Sequence, residues 1–145
     1  MILVDLNVLL DVLQEREPHY RASAAVLDRV ITGDLKAVIA AHAVTTIHYL
    51  VARLRDRHSA DEVVDMLLRH FEIVAIGREQ MLRARSLAWS DFEDAVVTAS
   101  AESARCSAVI TRNTKDFRKS PVSAMTPEEF LASRSMRRPG KRHRD

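Results

Sequence analysis

Ile2-Leu3-Val4-Asp5-Leu6-Asn7-Val8-Leu9-Leu10-Asp11 sits at the start of the chain. Its three leading apolar residues read as a short strand buried on both faces. Val8, Leu9, Val12 and Leu13 then fall at the spacing of one helix face. Strand, acid, helix is the first half of an α/β unit, and it leaves Asp5 at the carboxyl end of the strand, where open parallel sheets build their sites. Two later segments also set an acid beside an apolar run: Asp91-Phe92-Glu93-Asp94-Ala95 and Val109-Ile110-Thr111-Arg112-Asn113-Thr114-Lys115-Asp116-Phe117. If these are a helix start and a neighbouring strand end, their carboxylates converge at one sheet edge. Crowded like charges raise one another's pKa, so such a cluster implies a divalent cation.

Away from these segments the alternation continues. A helix is expected over His19 to Ile31, ended by Gly33, with a strand over Ala37 to Ala41 and helical spacing from Ala43 to Arg57. Ser59 and Glu62 carry a capping-box signature for a helix through Phe71, which makes a helical hairpin with its predecessor. Glu72 to Ile76 reads as a strand, Arg78 to Ala88 as a helix, Phe92 to Arg105 as a helix in which Glu93 pairs back to Ser90, and Ser107 to Thr111 as a strand. Pro121 to Met125 supplies an edge strand, and Thr126-Pro127-Glu128-Glu129 starts the last helix. Strands and helices joined by short loops specify an α/β fold with a mainly parallel sheet covered on both faces.

The 145 residues, 47% hydrophobic and 29% charged, suit one domain with a real core, expected over 1–133. The net charge of +2 is unevenly spread. From Leu131 onward six basic residues meet one acid, a local +5, so the body, with 16 basic and 19 acidic residues, is −3. Residues 134–145 are read as a basic, disordered tail that adds salt-sensitive attraction to phosphates. Cys106 is the only cysteine, which excludes an internal disulfide, and it is read as a small buried hydrophobe. No apolar run is long enough to cross a bilayer and no basic leader precedes the first strand, so a soluble cytoplasmic protein is expected.

Taken together, the three acidic segments resemble the PIN domain family of metal-dependent ribonucleases, especially the toxins of bacterial VapBC-type toxin-antitoxin pairs. The likeness spans Met1 to Glu129 and rests on Asp5 and Asn7, on Asp94, and on Thr111, Asn113 and Asp116. It implies a three-layer α/β/α sandwich, Mg²⁺ or Mn²⁺, and endonucleolytic hydrolysis of RNA phosphodiester bonds. Asp5, Asp94 and Asp116 would hold the metal, with Asn7 and Asn113 orienting waters or ligands. Asp91 shares a helix face with Asp94 and is both an N-cap candidate and a spare carboxylate. Arg112 and Lys115 flank the late acid and are the expected contacts to the RNA backbone. The likeness further implies a homodimer and a small antitoxin partner, for which the apolar faces of the Ala43 to Phe71 helical pair are the candidate surface.

Two positions depart from the family pattern. His48 stands where a glutamate is usual on the helix after the second strand, and Asn113 replaces a frequent acid, so low metal affinity is expected. These departures keep a second reading open, a degenerate PIN module that binds RNA or a partner without cleaving it. A phosphoryl-transfer enzyme with Asp5 as nucleophile is a third. It lacks a second acid two residues on, where Asn7 stands, and has no glycine-rich phosphate loop among three glycines.

Overall fold

The computed structural model describes residues 1–136, with side chains as far as Ser135. Five strands, β1 (Ile2–Val4), β2 (Ala37–Ala40), β3 (Glu72–Val74), β4 (Ala108–Ile110) and β5 (Ser123–Met125), form one sheet in the order β3-β2-β1-β4-β5. Every pairing is parallel, so the expected mainly parallel sheet is parallel throughout. Seven helices connect them: α1 (Leu6–Leu13), α2 (Tyr20–Ile31), α3 (Ala41–Leu54), α4 (Arg57–His70), α5 (Arg78–Leu87), α6 (Phe92–Ser103) and α7 (Pro127–Met136). Strand order reverses between β1 and β4, which puts the ligand crevice of such a sheet at their carboxyl ends.

Alternation along the strands divides the core. Ile2, Val4, Ala37, Ile39, Ala108 and Ile110 face one layer with Val8, Leu9, Val26, Ile47, Leu67 and Phe130 of α1, α2, α3, α4 and α7. Leu3, Val38 and Val109 face the other with Val97 and Ala101 of α6, and α5 packs on α6 through Ala84, Ala95 and Ala99. The three layers follow from strands apolar on both sides. Cys106 belongs to the second layer, and burial pushes its thiol pKa up, as befits a packed hydrophobe.

Local signals explain most helix ends. Gly33, at φ 85°, takes the left-handed position just past α2 that favours glycine, and Thr126 caps α7 by accepting from the Glu129 amide at 3.1 Å. Two expected capping pairs differ. Asp56, not Ser59, caps α4: its Oδ1 accepts from Ser59 N at 2.7 Å, so the helix begins at Arg57. At α6 the N-cap candidate Asp91 is the cap, accepting from Asp94 N at 3.0 Å, and the expected pairing of Glu93 with Ser90 is not made. In both cases the capping aspartate is in extended backbone and its carboxylate accepts from the amide three residues on. α7 continues three residues beyond Ser133, and Arg134 lies 5.8 Å over the Phe130 ring. The rest of the expected basic tail, 137–145, lies outside the described residues. Among the described residues no helix is long and apolar enough to cross a membrane.

Candidate active site

β1 and β4 lie side by side, so the residues that follow them meet. Asp5 N donates to Ile110 O at 2.9 Å, and Asp5 caps α1, its Oδ1 accepting from Leu6 N at 2.8 Å. Its Oδ2 accepts from the hydroxyl of the fully buried Thr111 at 2.9 Å. Thr111 Oγ1 in turn accepts from Asn7 Nδ2 and from Asn113 N, both at 3.2 Å, and Asn7 Oδ1 accepts from Arg112 N at 3.3 Å. One buried hydroxyl thus ties the β1 and β4 ends together. Burial pushes the Asp5 carboxyl up, against the hydrogen bonds from Thr111 and Leu6 that favour the charged form.

The α6 N-terminus brings Asp94 to the same edge. Its carboxyl is pushed up to about 7, first by burial and then by the charges of Asp91, Asp5, Asp116 and Glu93 in that order. Four acids from three distant segments therefore act on one half-buried carboxyl, even though a helix N-terminus by itself favours the anion. Asp116 follows β4 on a 3₁₀ turn, Thr114–Phe117. The turn is pinned from below by buried Phe117, whose ring meets Trp89 edge-on with centroids 5.9 Å apart. Asp116 and Asn113 are exposed. Among the described residues no three His, Cys, Asp or Glu side chains stand close enough to hold an ion between them as they are. Asp5 and Asp91 explain part of this, since their oxygens are turned to Leu6 N, Thr111 and Asp94 N.

A family model described as PIN domain matches residues 1–115, most of the chain. This chain belongs to the PIN domain family. It is similar to Ribonuclease VapC1 of Aquifex aeolicus (strain VF5), at 22% identity over 134 residues that cover 89% of this chain and 92% of that protein. Among solved structures, a toxin-antitoxin complex from Klebsiella pneumoniae matches with a TM-score of 0.68 and 23% identity, over 88% of this chain and 98% of that one. VapBC2 from Rickettsia felis, bound to a DNA fragment from its promoter, matches with a TM-score of 0.65 and 14% identity over 87% and 98% of the two chains. FitAcB from Neisseria gonorrhoeae matches with a TM-score of 0.64 and 22% identity over 88% and 99%. The PIN resemblance and the α/β/α architecture read from the sequence are thereby borne out.

Within this PIN domain two residues stand elsewhere than expected. His48 is turned to α4, its Nε2 2.8 Å from Asp61 Oδ1, and not to the acids. α3 starts straight from the end of β2, so its first turn lies at the sheet edge, whereas six further residues carry His48 about 9 Å along the helix. His42 is the histidine of that first turn. Its Nε2 lies 3.6 Å from Glu93 Oε1, and its charge acts to lower the Asp5 pKa. Arg112 is drawn inward: its Nε lies 3.0 Å from Oδ2 of the fully buried Asp11, an ion pair without hydrogen-bond alignment. Asp11 Oδ2 also accepts from Ser23 Oγ at 3.2 Å. The carboxylate needs a cation once buried, and the adjacent loop supplies one. Lys115 is on the surface and lines a groove of about 390 Å³ with Ser90, Asp91, Asp116, Arg118 and Lys119.

Sequence reasoning passed over His42, Glu93, Asp11, Arg118 and Lys119. Asp11 did carry a signal, because it follows Asn7 by one helix turn and interrupts the apolar face of α1. Nothing local marks the meeting of His42 with Glu93.

Proposed function

We propose that this PIN domain is a divalent-metal-dependent endoribonuclease that acts as the toxin of a toxin-antitoxin pair. The observation that carries the reading is the gathering of negative charge on Asp94 from β1, α6 and the turn after β4. Hard oxygen donors crowded at the carboxyl edge of a parallel sheet suit Mg²⁺ or Mn²⁺, and a cation would relieve the repulsion that raises Asp94. The relative from Aquifex aeolicus bears the name ribonuclease, and the solved neighbour from Klebsiella pneumoniae is a toxin-antitoxin complex, which supports the same reading.

Asp5, Asp94 and Asp116 would hold the ion. Bound there, it supplies polarisation of a phosphoryl oxygen and a water of lowered pKa for in-line attack on phosphorus. Thr111 fixes the Asp5 carboxylate, and Asn7 fixes Thr111 and the backbone of Arg112, so both serve to keep the acid in place. Lys115, with Arg118 and Lys119 beside it, meets RNA phosphates, which position the strand without reading its sequence. Arg112 is left out of substrate contact by its pairing with Asp11. An antitoxin would cover the acidic edge, and the exposed Tyr49, Leu54 and Leu68 of α3 and α4 are the candidate contact for it or for a second copy of the chain.

The degenerate, non-cleaving module is the second reading, favoured by the engagement of His48 with Asp61 at the position where the PIN resemblance implies a glutamate. Purified protein that cleaves single-stranded RNA only with Mg²⁺ or Mn²⁺, and loses this with Asp5→Asn, supports the nuclease. Saturable RNA binding with no metal-stimulated cleavage supports the module instead.

A further inference from the structure

A cavity of about 530 Å³ opens between the first turns of α3 and α6 and helix α5. Its lining is mostly apolar, with Ile76, Met81, Phe92 and Val96, and includes His42 and Glu93. Glu93 of this lining lies 3.6 Å from His42 and directly precedes Asp94 in the first turn of α6, so the cavity adjoins the acidic cluster. The first turn of α6 divides it from the groove of Lys115, Arg118 and Lys119, because Phe92, Glu93 and Val96 line one side and Ser90 and Asp91 the other. Glu93 and Asp91 of that turn thus stand between an apolar chamber and a groove carrying three cations.

Phe92 and Met81 remain 46% and 44% exposed, so neither contributes much to the core, and both are spent on this chamber. The volume falls within the roughly 300 to 1,000 Å³ of small-molecule pockets. We propose that the chamber seats an unpaired nucleobase of the RNA next to the scissile phosphate, stacked on Phe92, while neighbouring phosphates lie along Lys115, Arg118 and Lys119. The identity of the guest as RNA rests on the nuclease reading. A nucleotide delivers a flat apolar face and an anion side by side, which is the pairing of surfaces found here. Stacking on an aromatic ring accepts any base, and an unpaired strand can splay one out. Glu93 and His42 then face the edge of the base.

The test uses the full chain carrying Asp94→Asn, which need not cleave, and a short single-stranded RNA with 4-thiouridine at one position at a time. Fluorescence anisotropy gives the affinity, and photocrosslinks are mapped by mass spectrometry. Adding Phe92→Ala is expected to weaken binding about tenfold, the usual scale of one lost stacking contact, and Phe92→Trp to restore it. Crosslinks are expected on α5 and the first turn of α6. RNA bound equally well without Phe92, with crosslinks elsewhere, overturns the base seat, and so does a complete lack of RNA binding. Mn²⁺-dependent cleavage by the unmodified chain is scored separately, so the base seat and the nuclease reading fail independently.

Discussion

Asp94 is the residue in which the site's electrostatics can be measured. Its ordinary pKa of 3.8 is pushed up to about 7 by burial and by four neighbouring acids. The folded chain therefore holds a proton that the unfolded chain has released, and the stability linked to this group is intact below about pH 4 and lost as pH rises through 7. In metal-free protein, Asp94→Asn should raise stability at pH 8 by on the order of 1–2 kcal/mol, allowing for solvent screening of a half-buried group. Thermal melts should show that advantage vanish at pH 4. The same proton competes with a cation, so Mn²⁺ affinity measured by calorimetry should increase from pH 6 to pH 8. Asp5, Asp94 and Asp116 were legible because each is set beside an apolar run, and that pattern survives without knowledge of the fold. Glu93 was not legible, because its role depends on His42 of a helix that follows a different strand. Arg112 was misread for the same reason: its counter-ion, Asp11, is brought to it only by the pairing of β1 with β4.

The turn after β4 is held by two anchors, the Arg112 to Asp11 pair and the Phe117 ring. Removing one member of a buried pair strands the other, so Arg112→Met should cost about 3 kcal/mol in urea unfolding, and the double change Asp11→Leu with Arg112→Met should recover most of it. Phe117→Ala should cost about 3 kcal/mol by emptying the space beside Trp89, and it should weaken Mn²⁺ binding by releasing Asp116. Helices were read well where an apolar face and a cap agree, as in α1 and α7. At α4 the cap is Asp56, three residues before the serine that looked like the start, and at α6 it is Asp91, one residue after Ser90. β3 ends at Val74, short of the expected Ile76. It is an edge strand with a partner on one side only, so pairing stops where β2 stops.

In the molecule as a whole, the alternation of strands with helices made the α/β class and the parallel sheet legible, since buried parallel strands must be apolar on both faces. The order β3-β2-β1-β4-β5 was not, because nothing local tells β1 to pair with both β2 and β4. That order is what gathers the acids at one edge. The overall charge is also split, with an acidic body beside the basic groove of Lys115, Arg118 and Lys119. Lys115→Ala should leave stability unchanged while weakening RNA binding and flattening its salt dependence by about one unit of slope. The decisive measurement is a crystal structure of the chain soaked in Mn²⁺, read by anomalous scattering. A peak coordinated by Asp5, Asp94 and Asp116 is the expected result. Saturating Mn²⁺ with no peak at that edge, or a peak bound elsewhere, would contradict the metal-centred nuclease.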